Sequence, residues 1–80
     1  MTLDELNIGQ AATVLAIDGE GPLGQRLMEL GLLEGSDVSV TRRALGGDPI
    51  EVQVMGYALS LRLEEARRVQ VSLSAGQAPA

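Results

Sequence analysis

The chain of 80 residues contains no cysteine, no histidine, no phenylalanine and no tryptophan, and its one aromatic is Tyr57. Each absence closes a class of function. Without cysteine there are no disulfides, no thiol nucleophile and no thiolate metal site. Without histidine there is no imidazole ligand and no imidazole acid–base catalysis. A carboxylate site for a hard cation is the metal chemistry left open, and no cofactor motif is present. With so little aromatic surface, the core has to be assembled from Leu, Val, Ile, Met and Ala, which suits a small barrel better than a ligand cavity. All six cations are arginines, set against eleven acids for a formal net charge of −5. Nucleic acid is bound by basic patches and stacking rings, and this chain has neither. No apolar run approaches the roughly 18 residues of a membrane span. The start, Met1-Thr2-Leu3-Asp4-Glu5, lacks the basic region and apolar core of a signal peptide, so a cytoplasmic protein is expected.

What the chain does have is short alternating runs broken by glycine. Its length fits one domain with a modest core. Thr2 and Glu5 stand as N-cap and N3 of a capping box, predicting a helical turn over 2–6. Residues 12–17 alternate loosely and read as a first strand. Val38 and Val40 alternate over 38–41. Ile50, Val52 and Val54 face one way over 50–54, and Leu59, Leu61 and Leu63 do so over 59–63. The tight Met55-Gly56 connection between those two runs predicts a hairpin. Glu64-Glu65-Ala66-Arg67 reads as a helical turn over 64–67, with acids first and arginines last, as the helix dipole prefers. A last strand spans 69–73. Residues 74–80 are small and polar, and a disordered tail is expected there. The whole predicts a mainly β domain over 1–73, of about five short antiparallel strands in a small, partly open barrel.

One helix interrupts this β pattern, predicted over 22–31. Pro22 suits its first position. Leu23, Leu27 and Leu30 form one stripe at i, i+4 and i+7. Gly31 sits where a left-handed C′ residue ends a helix, which makes Leu32 the C″ residue that touches Leu27. Leu33-Glu34-Gly35-Ser36 then fits a type II turn.

The run Gly24-Gln25-Arg26-Leu27-Met28-Glu29-Leu30-Gly31-Leu32-Leu33-Glu34-Gly35, followed by Val38 and Val40, resembles the signature of the FeoA family. So do Gly47-Asp48-Pro49-Ile50-Glu51-Val52 and Gly56-Tyr57-Ala58-Leu59-Ser60-Leu61-Arg62, with Glu65-Ala66 behind. The resemblance extends from about Leu3 to Val71. The loop Leu45-Gly46-Gly47-Asp48-Pro49 departs from the Pro-Leu-Gly-Asp-Pro run frequent in that family. The resemblance implies an SH3-like barrel, similar to the C-terminal domain of diphtheria-toxin-type repressors. It also implies an accessory protein of bacterial ferrous iron uptake whose partner is FeoB, a membrane permease with a cytosolic G-protein domain.

Most of the marked residues have ordinary structural readings. The leucine stripe is core, Gly24 allows close packing of the helix, and Gly31 and Gly35 serve backbone geometry. Arg26 and Glu29, at i and i+3, are expected to pair on the surface. Arg42-Arg43 and Arg67-Arg68 read as solvated ends, with recognition of phosphate or acidic groups as the alternative. Glu64 and Glu65 point apart on one turn and lack a third ligand, so no metal site is expected. The partner-binding candidates are therefore the outward residues Gln25, Arg26, Met28 and Glu29, with Leu32, Leu33 and Glu34 just beyond the cap. Two functions compete. One is an adaptor of the FeoB permease that acts by contact. The other is an SH3-like module acting in trans on a metal-dependent repressor. A second copy of the chain is a further partner, because open sheet edges pair.

Overall fold

The computed structural model describes residues 1–19 and 21–73. The expected tail over 74–80 lies outside the described residues. Five strands form one antiparallel sheet: β1 (Ala11–Ile17), β2 (Asp37–Arg43), β3 (Ile50–Val54), β4 (Tyr57–Leu61) and β5 (Val69–Leu73). Their spatial order is β4-β3-β2-β1-β5. Helix α1 (Pro22–Glu29) joins β1 to β2, and α2 (Leu63–Ala66) joins β4 to β5. Turns of 3-10 helix occupy Leu3–Glu5 and Leu45–Gly47. The mainly β architecture matches the alternation read from the sequence.

Alternation explains which side of each strand is buried. Val38 and Val40, then Ile50, Val52 and Val54, and finally Val69 and Val71 all enter one core with Leu61. Leu3 and Leu6 close one end of it, while Leu27 and Leu32 enter from α1 and its cap. Two irregularities bend the sheet. The β1–β5 register shifts between Val14 and Ala16, and the β2–β3 register shifts between Val40 and Arg42. Each extra residue kinks its strand and adds twist, which curls a sheet of short strands around its core.

The β3–β4 hairpin turns on Met55 and Gly56, whose φ values of 53° and 83° are both positive. That is the pattern of a type I′ turn, whose twist matches the flanking strands.

Several details differ from the sequence reading. Helix α1 ends at Glu29 instead of residue 31, with Leu30 as its C-cap. Of its leucine stripe only Leu27 is fully buried; Leu23 and Leu30 are partly buried. Leu63 opens α2 and does not close β4. The reason is local capping: the Glu65 carboxylate accepts the Arg62 N–H at 2.8 Å, and the Asp48 carboxylate accepts the Leu63 N–H at 3.1 Å. Those bonds satisfy helix-start donors that a continuing strand would leave unpaired.

The arginines are structural to different degrees. Arg43, expected at a solvated strand end, donates from Nη2 to the carbonyls of Asp4 (2.8 Å) and Leu6 (2.6 Å). It ties the first turn to β2. Arg26 does not pair with Glu29; its Nη1 lies 3.9 Å from Glu65 on α2. Arg67 approaches Asp4 at 3.7 Å and Arg62 approaches Asp48 at 3.7 Å.

Candidate functional site

The end of α1 is built as a complete Schellman motif. Gly31 adopts φ 102°. Its N–H donates to Met28 O at 3.0 Å, and the Leu32 N–H donates to Leu27 O at 3.2 Å. These are the two bonds that satisfy orphan carbonyls at a helix C-terminus. The following turn is also as the sequence indicated. Ser36 N–H donates to Leu33 O at 2.9 Å, and Gly35 holds φ 88° at the third position. Two further bonds dock this turn on β1: Gly35 N–H to Val14 O at 2.8 Å and Val14 N–H to Ser36 O at 2.9 Å.

The other end of α1 is set by Gly24. A Cβ there would stand 2.6 Å from the Gly19 carbonyl oxygen and 4.0 Å from Ile17 Cγ2. Absence of a side chain lets the helix approach the end of β1. The two fixings bring the outward face of α1, the cap and β1 together.

The result is a groove of about 260 Å³ lined by Leu15, Ala16, Ile17, Met28, Leu32, Leu33 and Glu34. Three large apolar side chains around it are about half exposed: Leu15 (48 %), Met28 (46 %) and Leu33 (47 %). Leu15 faces outward by alternation from the buried Ala12 and Val14, and the β1 irregularity that follows turns Ala16 outward as well. Single exposed apolar residues are ordinary on a protein surface, but three converging on one groove form a patch.

The sequence candidates divide on inspection. Met28, Leu33 and Glu34 line the groove together. Gln25, Arg26 and Glu29 are exposed on α1 but lie outside its lining. Leu32 departs from expectation: its side chain is wholly buried. As the C″ residue it packs into the core, so it supports the groove from beneath and is not a surface contact. Leu15 and Ile17 were missed. The run Val14-Leu15-Ala16-Ile17 breaks strict alternation, and that break was the available signal of a bulge.

Little else at this site points to chemistry. Among the described residues no group of three carboxylates, histidines or cysteines is placed to hold a metal ion. Glu65, buried on α2, directs one oxygen to the Arg62 N–H and the other toward Arg26. The Glu5 carboxyl is held below its ordinary range, because the Thr2 N–H donates to it at 2.7 Å, with help from the Thr2 hydroxyl. No described helix is long and apolar enough to cross a membrane.

Fold and site thus define a small antiparallel β module that carries an apolar groove between α1 and β1. The FeoA domain family model matches residues 1–73, and the chain belongs to the FeoA family. It is 33% identical over 78 residues, 98% of its length, to an Fe(2+) transport protein A/Fe(2+) transporter FeoB fusion protein of Porphyromonas gingivalis. The chain spans only 9% of that relative's length. The solution structure of FeoA from Chlorobium tepidum is 42% identical with a TM-score of 0.87, covering 95% of this chain and 72% of that one. A crystal structure of Stenotrophomonas maltophilia FeoA complexed with zinc, described as an SH3 domain protein, is 33% identical with a TM-score of 0.78, covering 96% and 93%. The sheet described above is therefore the SH3-like fold of FeoA proteins, a family of small accessory proteins and not of enzymes.

Proposed function

We propose that this chain is a cytoplasmic accessory protein of ferrous iron uptake, and that it regulates a FeoB-type GTPase-permease by seating part of it in the groove between α1 and β1. The observation that carries this reading is the convergence of Leu15, Met28 and Leu33, each about half exposed, on one groove. Burying such side chains against a partner returns about 25 cal/mol per Å² of apolar surface. The fusion of an FeoA-type segment to a FeoB transporter in one relative supports the choice of partner, since fusion holds the two at high effective concentration.

The proposed mechanism is contact without chemistry. Whichever state of the permease presents the better match to the groove is the state that binding populates. Co-purification of the chain with detergent-solubilised FeoB from the same organism tests the reading. Met28→Asp and Leu33→Asp, each shown to be folded by circular dichroism, are expected to lose the permease. Folded variants that capture it as well as the wild type would refute the groove as the contact.

A further inference from the structure

We propose that β4 is a self-pairing edge, through which two copies of the chain join antiparallel about a two-fold axis at Leu59. The sheet order leaves β4 and β5 as its two margins. The β5 margin is covered: Thr2 bridges Gln70, and the Val71 N–H donates to Met1 O at 2.9 Å. Among the described residues nothing comparable reaches β4.

The groups that β4 offers follow from its hairpin. In a two-residue hairpin the residues flanking the turn, here Val54 and Tyr57, form a hydrogen-bonded pair. Alternation then makes Val52–Leu59 and Ile50–Leu61 hydrogen-bonded pairs too, while Ala58 and Ser60 direct their N–H and C=O groups away from β3. The free edge therefore presents two donors and two acceptors, from residues two apart. An antiparallel copy centred on Leu59 sets Ala58 opposite Ser60 of the second copy, and Ser60 opposite its Ala58. All four groups on each strand are satisfied, and the five strands of each copy continue into a sheet of ten.

Side chains and charge select a second copy as the occupant. Ala58 and Ser60 are small and exposed, so nothing on the outer face obstructs approach. β4 carries no charged residue and no proline, the usual guards of an open edge. A molecule of net charge −5 repels its own copies at most surfaces. Here the nearest strand acid is Glu51, paired with Ser60 on β3. In the dimer it stands three strand spacings, about 14 Å, from its symmetry mate, beyond the screening length of roughly 8 Å at physiological salt.

A pair of five-residue strands makes a small interface, so the dimer is weak and depends on concentration. The test is amide NMR with sedimentation equilibrium on the full chain, from about 20 μM to about 2 mM, the range in which such small interfaces associate. Shifts and slowed exchange centred on Ala58 and Ser60 are expected to grow with concentration, with a monomer–dimer fit. Ala58→Lys, which places a charge on the outer face, and Ser60→Pro, which removes only an outward N–H, should both stay folded and monomeric. The proposal is overturned by a monomer at every concentration, or by a dimer that both variants retain. It is equally overturned if the Ala58 and Ser60 amides are protected independently of concentration, or only when another protein is added.

Discussion

The hydroxyl of Tyr57, the first residue of β4, donates a hydrogen bond to the carbonyl of Leu30, the C-cap of α1. The chain's one aromatic thus links the hairpin to the helix that forms the groove. Its Oη also lies where a Cβ on Gly31 would come, at 2.9 Å. Tyr57→Phe keeps the ring and removes the bond. A net loss of about 1 kcal/mol is expected for one such bond, lowering Tm by roughly 4–8 °C in a domain of this size. A thermal melt monitored by circular dichroism measures it.

Gly24→Ala sets two effects in opposition. Alanine gains about 1 kcal/mol of helix propensity over glycine. Its Cβ, however, would meet the Gly19 carbonyl oxygen at 2.6 Å, and that obstacle is backbone. Overpacking of this kind costs typically 1–3 kcal/mol. The clash should prevail, giving a net destabilisation of about 1 kcal/mol in urea unfolding; stabilisation would show that α1 does not sit so close to β1.

Glu65 and Arg26 should differ sharply although they face each other at 3.9 Å. Arg26 is largely exposed, and an exposed ion pair contributes about 0–1 kcal/mol. Glu65 is buried and accepts the Arg62 N–H that starts α2. Removing a cap of this kind costs about 1 kcal/mol. Glu65→Ala is therefore expected to lower the urea midpoint clearly, and Arg26→Ala hardly at all.

How far the sequence could be read follows from these same contacts. Short-range signals were sufficient wherever one stretch of backbone decides the outcome: the hairpin at Met55-Gly56, the Gly31 cap and the last strand over 69–73 all appear as expected. The site was half legible for the same reason. Met28 and Leu33 lie within a few residues of the cap that places them. Leu15 lies outward by alternation, but its own stretch does not reveal that α1 and its cap pack beside β1 to form a groove there. Contacts remote in sequence were not legible at all. Arg43 reaches Asp4 across 39 positions, and Tyr57 reaches Leu30 across 27. Leu32, expected both as the C″ residue against Leu27 and as a surface contact, keeps only the first role, because the core takes its whole side chain.

Acid should weaken the first turn with a defined sign. The Thr2 N–H holds the Glu5 carboxyl below its ordinary value. A carboxyl with a lowered folded-state pKa contributes fully above its unfolded value of about 4.3, and that contribution is lost as pH falls through the folded value. The stability gap between wild type and Glu5→Gln should be constant above about pH 5 and narrow below it. Urea unfolding across that range checks this; a gap that widened in acid would reverse the sign.

The central claim is that the α1–β1 groove is the contact with the permease. Titrating detergent-solubilised FeoB from the same organism into the fluorescently labelled chain, and following anisotropy, tests it most directly. Leu33 is half exposed and lines the groove, so Leu33→Asp leaves the core intact while placing a charge in the contact. A central apolar contact contributes about 2 kcal/mol or more, so the folded variant should bind roughly 30-fold more weakly than the wild type. Equal affinity for the two would contradict the account.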